Sequence, residues 1–432
     1  MIKKILIAGL AALILLPSLA PANGLNLNGL GSRSQGMGGA FVAVADDFSA
    51  VFWNPAGAAG FKRTIFGFYT TDLMPKTSYN LSIPPDLVYI PEYPPPTVAA
   101  ETKKAHYLGF LGAYYKPISS KVVVGLGIGT PSGLGTKWNG ADFTDLSGGT
   151  AYDWSSKIEV FTASPLVAVR LNDWLSVGAT VDVQYGNFRL KMPAGSADLG
   201  GGTVDLGQYE ENMHGWGIGA TFGVLAKPID KLSLGLTVRT PSTLAYKGSA
   251  LLPNLSPYGL PGSSDLERKI TWPLWIAGGV AFRPFERLLL SADVQWTQWS
   301  KLDRITTDYL DAVWAILMGA SGNDVRGMGW SDKAQFRFGA EFRVNATTAL
   351  RAGYYHDPAP GPDATLNALL PNFAYNTICA GVGKSFDGLQ IDLGLEYYTG
   401  RERTCAGASA GSMPGTYGMN IVVPSIAVSY KF

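Results

Sequence analysis

Charge is scarce in this chain: Asp, Glu, Lys and Arg make up 16% of its 432 residues, against roughly 25% in an ordinary soluble protein. So few ions cannot hydrate the surface that a soluble chain of this length would expose. The signs also balance, with 34 basic and 33 acidic residues, so there is no electrostatic footprint for nucleic acid. Cysteine and histidine are nearly missing, at two and three residues. That excludes a disulfide framework or a cysteine-rich metal cluster. Cys379, which reads as mid-strand, and Cys405, which reads as loop, offer at most one bridge. His106, His214 and His356 stand at no metal-ligand spacing, and no nucleophile elbow, His-Glu-x-x-His or phosphate loop occurs. No catalytic residue, metal ligand or cofactor site is therefore assigned, and an enzyme would have to bring one His to a Ser only in space. Long apolar runs are absent as well. The longest, Ile5 to Leu16, falls short of the ~20 residues that a spanning helix needs.

Glycine and aromatic residues are abundant: 53 Gly and 12% Phe, Tyr and Trp, a composition that excludes disorder. At the N-terminus, Lys3 and Lys4 precede the apolar run, Pro17 breaks it, and Ala20-Pro21-Ala22 supplies small residues for cleavage before Asn23. Residues 1–22 thus read as a signal peptide and the chain as exported.

From Thr64 onward apolar residues alternate with polar or small ones. Leu175, Val177, Ala179, Val181 and Val183 oppose Ser176, Gly178, Thr180, Asp182 and Gln184, and Leu389, Ile391, Leu393 and Leu395 oppose Gln390, Asp392, Gly394 and Glu396. Period two means strands, and a soluble sandwich would share it. The connections decide between the two, since short turns near 117–120, 171–173, 228–230, 283–286, 345–346 and 387–388 alternate with long polar loops. That asymmetry belongs to outer-membrane barrels. Tyr354-Tyr355 and Tyr397-Tyr398 follow such turns by about nine residues, a rise of roughly 21 Å on a tilted strand, close to the ~25 Å between aromatic girdles. Trp174 and Trp296 fit the lower and upper girdles. Fourteen segments alternate, from 64–80 to 420–432, the third spanning 121–131. An even count returns both ends to one side of the membrane. The expected fold is all-β, a transmembrane antiparallel barrel of fourteen strands over residues 63–432. Its last strand puts Ile426, Val428, Tyr430 and Phe432 on the lipid face. A terminal Phe432 with Tyr430 before it resembles the insertion signal that the barrel assembly machinery reads.

Residues 23–62 break the alternation and form a glycine-rich piece. A lumen of fourteen strands leaves a channel unless something fills it, and inward Asp182, Asp293, Arg337, Glu341, Arg343, Asp392 and Glu396 would give a plug polar partners. Gly29-Leu30-Gly31, Ala45-Asp46-Asp47 and Asn54-Pro55-Ala56 resemble the hatch of the FadL/TodX family of outer-membrane transporters for long-chain fatty acids and other hydrophobic compounds. The resemblance continues at Gly133-Leu134-Gly135-Thr136-Lys137-Trp138, Trp272-Pro273-Leu274-Trp275, Thr297-Gln298-Trp299-Ser300 and Phe432, and so covers nearly the whole mature chain. It departs from the family in a short 193–208 connection and in six prolines within residues 84–96.

The resemblance implies a small hatch inside the lumen and passive uptake of a hydrophobic ligand by a monomer that sits in outer-membrane lipid and lipopolysaccharide and needs no cofactor. In the family, a kink in the third strand opens the barrel wall sideways. Pro131, Gly133 and Gly135 are the matching residues, and they also fit a simple strand end. Leu134, Trp138, Phe143 and Leu146 would gather ligand in an outer loop, or pack on one another. Arg189 and Lys191 would clamp a carboxylate or bind lipopolysaccharide phosphates. Aromatic or alkane hydrocarbons by the same route, and a water-filled porin, are the alternative functions.

Overall fold

In the computed structural model, which describes residues 25–81, 97–198, 203–370, 372–406 and 412–432, the period-two segments become one closed antiparallel wall. The first seven strands are β1 (Ile65–Asn80), β2 (Tyr107–Pro117), β3 (Val122–Lys137), β4 (Ser155–Arg170), β5 (Leu175–Pro193), β6 (Gln208–Ile229) and β7, in two pieces (Leu232–Arg239, Ser242–Leu251). Then come β8, also in two pieces (Ser263–Trp272, Trp275–Phe285), β9 (Leu288–Thr297), β10 (Lys333–Arg343), β11 (Thr348–Asp357), β12 (Tyr375–Ser385), β13 (Leu389–Gly400) and β14 (Gly415–Lys431). β14 pairs with β1 from Ile65↔Lys431 to Asn80↔Thr416 and closes the cylinder. Closure leaves no sheet edge in hydrocarbon, where unpaired backbone groups would find no partner. Among the described residues no helix is long and apolar enough to cross a membrane.

The outer face is a belt of exposed apolar side chains running round the wall, among them Phe66, Phe68, Val181, Ile218, Leu236, Leu350, Leu393 and Ile426. On a soluble barrel such a continuous patch would aggregate, whereas in lipid each large side chain contributes roughly 1.5–3 kcal/mol by leaving water. Inward positions carry small or polar residues such as Thr221, Ser291, Asp293 and Ser425. Trp174 is exposed at the short-turn side. Of the two tyrosine pairs, only Tyr354 and Tyr397 face out. Tyr355 and Tyr398 are buried in the lumen, because neighbours on a strand take opposite faces.

β3 does not end at residue 131 but runs on to Lys137, and both cysteines are buried and form no disulfide. The expected signal segment 1–22 and the proline-rich 84–96 lie outside the described residues.

Tyr430 and Phe432 face outward, edge to face at 4.9 Å, and the Phe432 N–H donates to the Thr64 carbonyl at 3.0 Å. Truncating Phe432 is expected to lower the amount of assembled barrel several-fold, with activity per assembled molecule unchanged. Surface labelling set against uptake measures both, and normal surface abundance would show that the terminal aromatic is not read during insertion.

Candidate functional site

Residues 25–61 lie inside the lumen, held to the wall by their own backbone and by a few ions. The Phe41 and Val42 N–H groups donate to the Asp293 carboxylate at 2.7 and 2.8 Å. Gln35 donates to Glu396 at 2.9 Å, and Arg33 reaches Glu341 at 2.7 Å, which also accepts from Arg351 at 2.8 Å. Tyr115 accepts from the Val51 N–H at 3.0 Å and donates to the Phe48 carbonyl at 2.7 Å. Asn54 closes the turn with its Oδ1 on the Ala56 N–H at 3.1 Å, while its Nδ2 donates to Val42 at 2.9 Å and to Val224 on β6 at 3.0 Å. Pro55 and Ala56 open the short helix Pro55–Gly60, both buried. Asp46 pairs with Arg33, and Asp47 accepts from the Ser49 N–H and hydroxyl at 2.8 and 2.6 Å.

This close fit explains two of the wall glycines. A methyl group at Gly235 would collide with the Val42 carbonyl, and one at Gly353 with the Gly38 backbone. Of the inward charges expected to grip a plug, Asp293, Arg337, Glu341 and Glu396 do so. Asp182 instead accepts from Ser164, Thr180 and Thr221 of the wall, and Asp392 from Arg351. Arg343 is exposed at a strand end.

Above this segment the lumen holds a cavity of about 690 Å³. Leu25 and Leu27 line it from below, Ile158, Phe188, Leu190 and Ile270 from the wall, and Leu317 and Met318 from an outer-loop helix (Ala312–Ser321). One side is polar. Arg268 grips Glu211 through two bonds of 2.8 Å and donates to Thr307 at 2.9 and 2.7 Å. Tyr209 donates to Glu211 at 2.6 Å and lies 2.8 Å from the Tyr309 hydroxyl. Burial, then the Glu211 carboxylate, push the Tyr309 phenol up to about 12, so it stays protonated at physiological pH. Burial first, then the neighbouring Arg268, push the Arg326 guanidinium down to about 10, against the pull of Glu211. It still carries its charge near pH 7.

The sequence did not point to Glu211, Arg268 or Arg326. Strict alternation from the lower half of β8, where Trp275 and Ala277 face in, puts Arg268 on the lipid face. In the barrel Arg268 is buried inside because β8 changes face between Trp272 and Trp275. Conversely, Arg189 and Lys191 alternate with the cavity-lining Leu190 and Met192 and so point away from the cavity, with Lys191 paired to Glu210 at 2.8 Å. The outer-loop quartet also divides. Leu134 lines the cavity, Leu146 is exposed, and Trp138 and Phe143 are fully buried. Phe143 stacks on Trp154 at 4.6 Å, and the Trp138 indole N–H donates to the Ala368 carbonyl at 2.9 Å. Both rings are thus packed within the loop, away from the cavity lining.

β3 carries a break in the wall. β2 pairs with it only as far as Leu111↔Gly129; the Phe110 N–H still donates to Thr130 Oγ1 at 2.9 Å, and Tyr107–Gly109 pair with β1 alone. β3 keeps its ladder to β4, with a register shift between Gly129 and Ser132. The freed edge turns to the N-terminal segment: the Leu27 N–H donates to the Pro131 carbonyl at 2.9 Å, and Ser132 Oγ to Asn26 Oδ1 at 3.0 Å. A methyl group on Gly133 would meet no atom within 4 Å, so space lies beside it, whereas one on Gly135 would press on Tyr107.

A closed barrel with an apolar outer belt, a lumen filled below and an apolar cavity above defines an outer-membrane transport protein. The chain belongs to the family described as outer membrane protein transport protein (OMPP1/FadL/TodX), whose model matches residues 13–432. It is located in the outer membrane of a Gram-negative bacterium. Among solved structures it is similar to a Pseudomonas aeruginosa FadL homologue (TM-score 0.77, 17% identity, covering 95% of this chain and 100% of that one). It is also similar to the Pseudomonas putida toluene transporter TodX (0.73, 16%, 94% and 99%) and the Ralstonia pickettii toluene transporter TbuX (0.69, 19%, 94% and 99%). At such identities the likeness speaks for the fold. No curated protein matches the chain.

Proposed function

We propose that the protein takes up hydrophobic molecules by passive diffusion, long-chain fatty acids or related lipids first among them. The observation that carries this reading is the apolar cavity of about 690 Å³, set above a lumen-filling N-terminal segment and beside a wall gap at Pro131. A ligand would enter from the outer loops, rest in the cavity and leave sideways between β2 and β3 into the membrane. Residues 23–62 would serve as the hatch that denies it a straight path. Two cationic side chains on the cavity wall, Arg268 and Arg326, suit a carboxylate head group. The Glu211 that neutralises Arg268 suits an uncharged hydrocarbon instead, and aromatic or alkane hydrocarbons by the same route are the second reading. A water-filled porin is disfavoured by the segment that fills its lumen.

Protein purified after exposure to a mixed pool of lipids and aromatic compounds is expected to retain one hydrophobic species at about one per barrel, identified by mass spectrometry. Ile270→Asp, which places a carboxylate without a partner among apolar walls, is expected to lower retention by roughly tenfold or more. Retention of sugars or ions alone, or equal retention by the variant, would refute this reading.

A further inference from the structure

Asn26 is the residue that lines both the large cavity and a second, small pocket of about 60 Å³. That pocket runs along the inner wall from β2 round to β8, past Thr162, Asp182 and Thr221, and meets an interrupted ladder near each end. One is the β3 gap, at Gly129, Pro131 and Ser132, and the other lies between β7 and β8, at Thr240, Ser242, Trp272, Pro273 and Trp275. The second place is also a break in the ladder. Pairing of β7 with β8 runs up to Arg239↔Trp275 and resumes at Ser242↔Trp272, so Thr240 and Pro241 on one strand face Pro273 and Leu274 on the other. The equal two-residue step sets Pro241 opposite Pro273. Neither has an N–H to donate, which deletes both donors of that ladder position at once.

Both strands change face there together. Thr237, Trp275 and Ala277 point inward below the break, and Ser242, Leu244, Ile270 and Trp272 above it. Each outer flank keeps hydrogen bonds at the level of the break. The Thr240 N–H donates to Ala220 and the Ala220 N–H to Thr240 Oγ1, both at 2.9 Å, while the Gln298 N–H donates to the Leu274 carbonyl at 2.9 Å. Above this level the β6–β7 ladder also lapses until Ala245↔Trp216, but only the β7–β8 seam sets two prolines opposite each other. It lies about nine residues beyond the short turn before β7, a rise of roughly 21 Å, and so within the ~25 Å apolar band. In hydrocarbon, unpaired backbone persists only where it faces a cavity, and the small pocket is that cavity. Arg239, held between the Phe52 and Trp275 rings at 4.7 Å each, ties the lower edge of the seam to the N-terminal segment. The Trp272 indole N–H donates to Ser132 Oγ at 2.9 Å and joins this seam to the β3 gap across the lumen.

We propose that the β7–β8 seam is a second lateral exit, taken by the same hydrophobic ligand after it passes Asn26 and opening to lipid at a place on the wall separate from the β2–β3 gap. This inference rests on the proposed transport function. Four chains test it, compared for uptake of radiolabelled palmitate and of radiolabelled toluene at equal surface abundance and normal heat-modifiable migration. They are the unaltered protein, Pro241→Val with Pro273→Val, Pro131→Val with Gly133→Val, and all four substitutions together. Valine restores the ladder donor and favours continuous pairing. Each pair alone is expected to lower uptake about two- to threefold, and the four together more than about tenfold, the latter worth over ~1.4 kcal/mol in barrier. Unchanged uptake when the β7–β8 pair is replaced, or complete loss when the β3 pair alone is replaced, overturns the second exit and leaves the first standing. If the unaltered protein takes up neither probe, the transport reading fails and this inference fails with it. Should the valine chains misassemble, Thr240→Cys with Leu274→Cys supplies the same comparison within one folded sample. Oxidation should lower uptake and reduction restore it, and equal uptake in the two states overturns the proposal.

Discussion

Deleting residues 23–62 is expected to leave a barrel that folds and to convert a nearly closed lumen into an ion-conducting one, with conductance in planar bilayers rising at least about tenfold. The wall carries its own ladder, from β1 round to β14, and none of those bonds involves the deleted segment. The inward charges it would abandon are not stranded. Glu341 and Asp392 both keep Arg351, at 2.8 and 2.7 Å, and Asp293, Arg337 and Glu396 would face water entering the vacated lumen. Such solvated groups cost little, unlike the same groups in a dry interior. Glycines such as Gly235 and Gly353, now pressed against the segment's backbone, would line an open channel. Equal conductance of the full and deleted chains would mean that the segment is no plug.

A disulfide between Asn26→Cys and Ser132→Cys is expected to abolish uptake in assembled protein, by more than about tenfold, with full recovery on reduction. The two side chains already touch, Ser132 Oγ to Asn26 Oδ1 at 3.0 Å, so the bridge requires little movement. Asn26 is common to the cavity and to the small pocket below it, so fixing it there closes the step that precedes any sideways exit. The native cysteines are both buried and do not compete. Unlike Pro131→Val with Gly133→Val, which closes one gap, the bridge should leave no residual flux. Full uptake by the oxidised protein would sink the lateral route and favour straight passage through the lumen.

The sequence by itself determined the class of this protein. Period-two alternation, the contrast between short turns and long loops, and the lipid-facing Ile426, Val428, Tyr430 and Phe432 reappear as strands, turns and outer belt with shifts of a few residues at most ends. These are local properties, set by which face each side chain takes relative to its neighbour. The tertiary structure alone decided what lies inside. Alternation assigns relative faces along one strand, but an irregular step resets the assignment. Pro131 in β3, and Pro241 with Pro273 across β7 and β8, each sit at such a step. Arg268 therefore faces the cavity, while Arg189 and Lys191, on an unbroken stretch of β5, do not. Asp293 meeting Phe41, Glu341 meeting Arg33, and Trp272 meeting Ser132 join residues 252, 308 and 140 positions apart. Such contacts depend on where the cylinder closes and on how the N-terminal segment seats within it. No window of sequence contains that information, because the partners become neighbours only after the fourteenth strand has found the first.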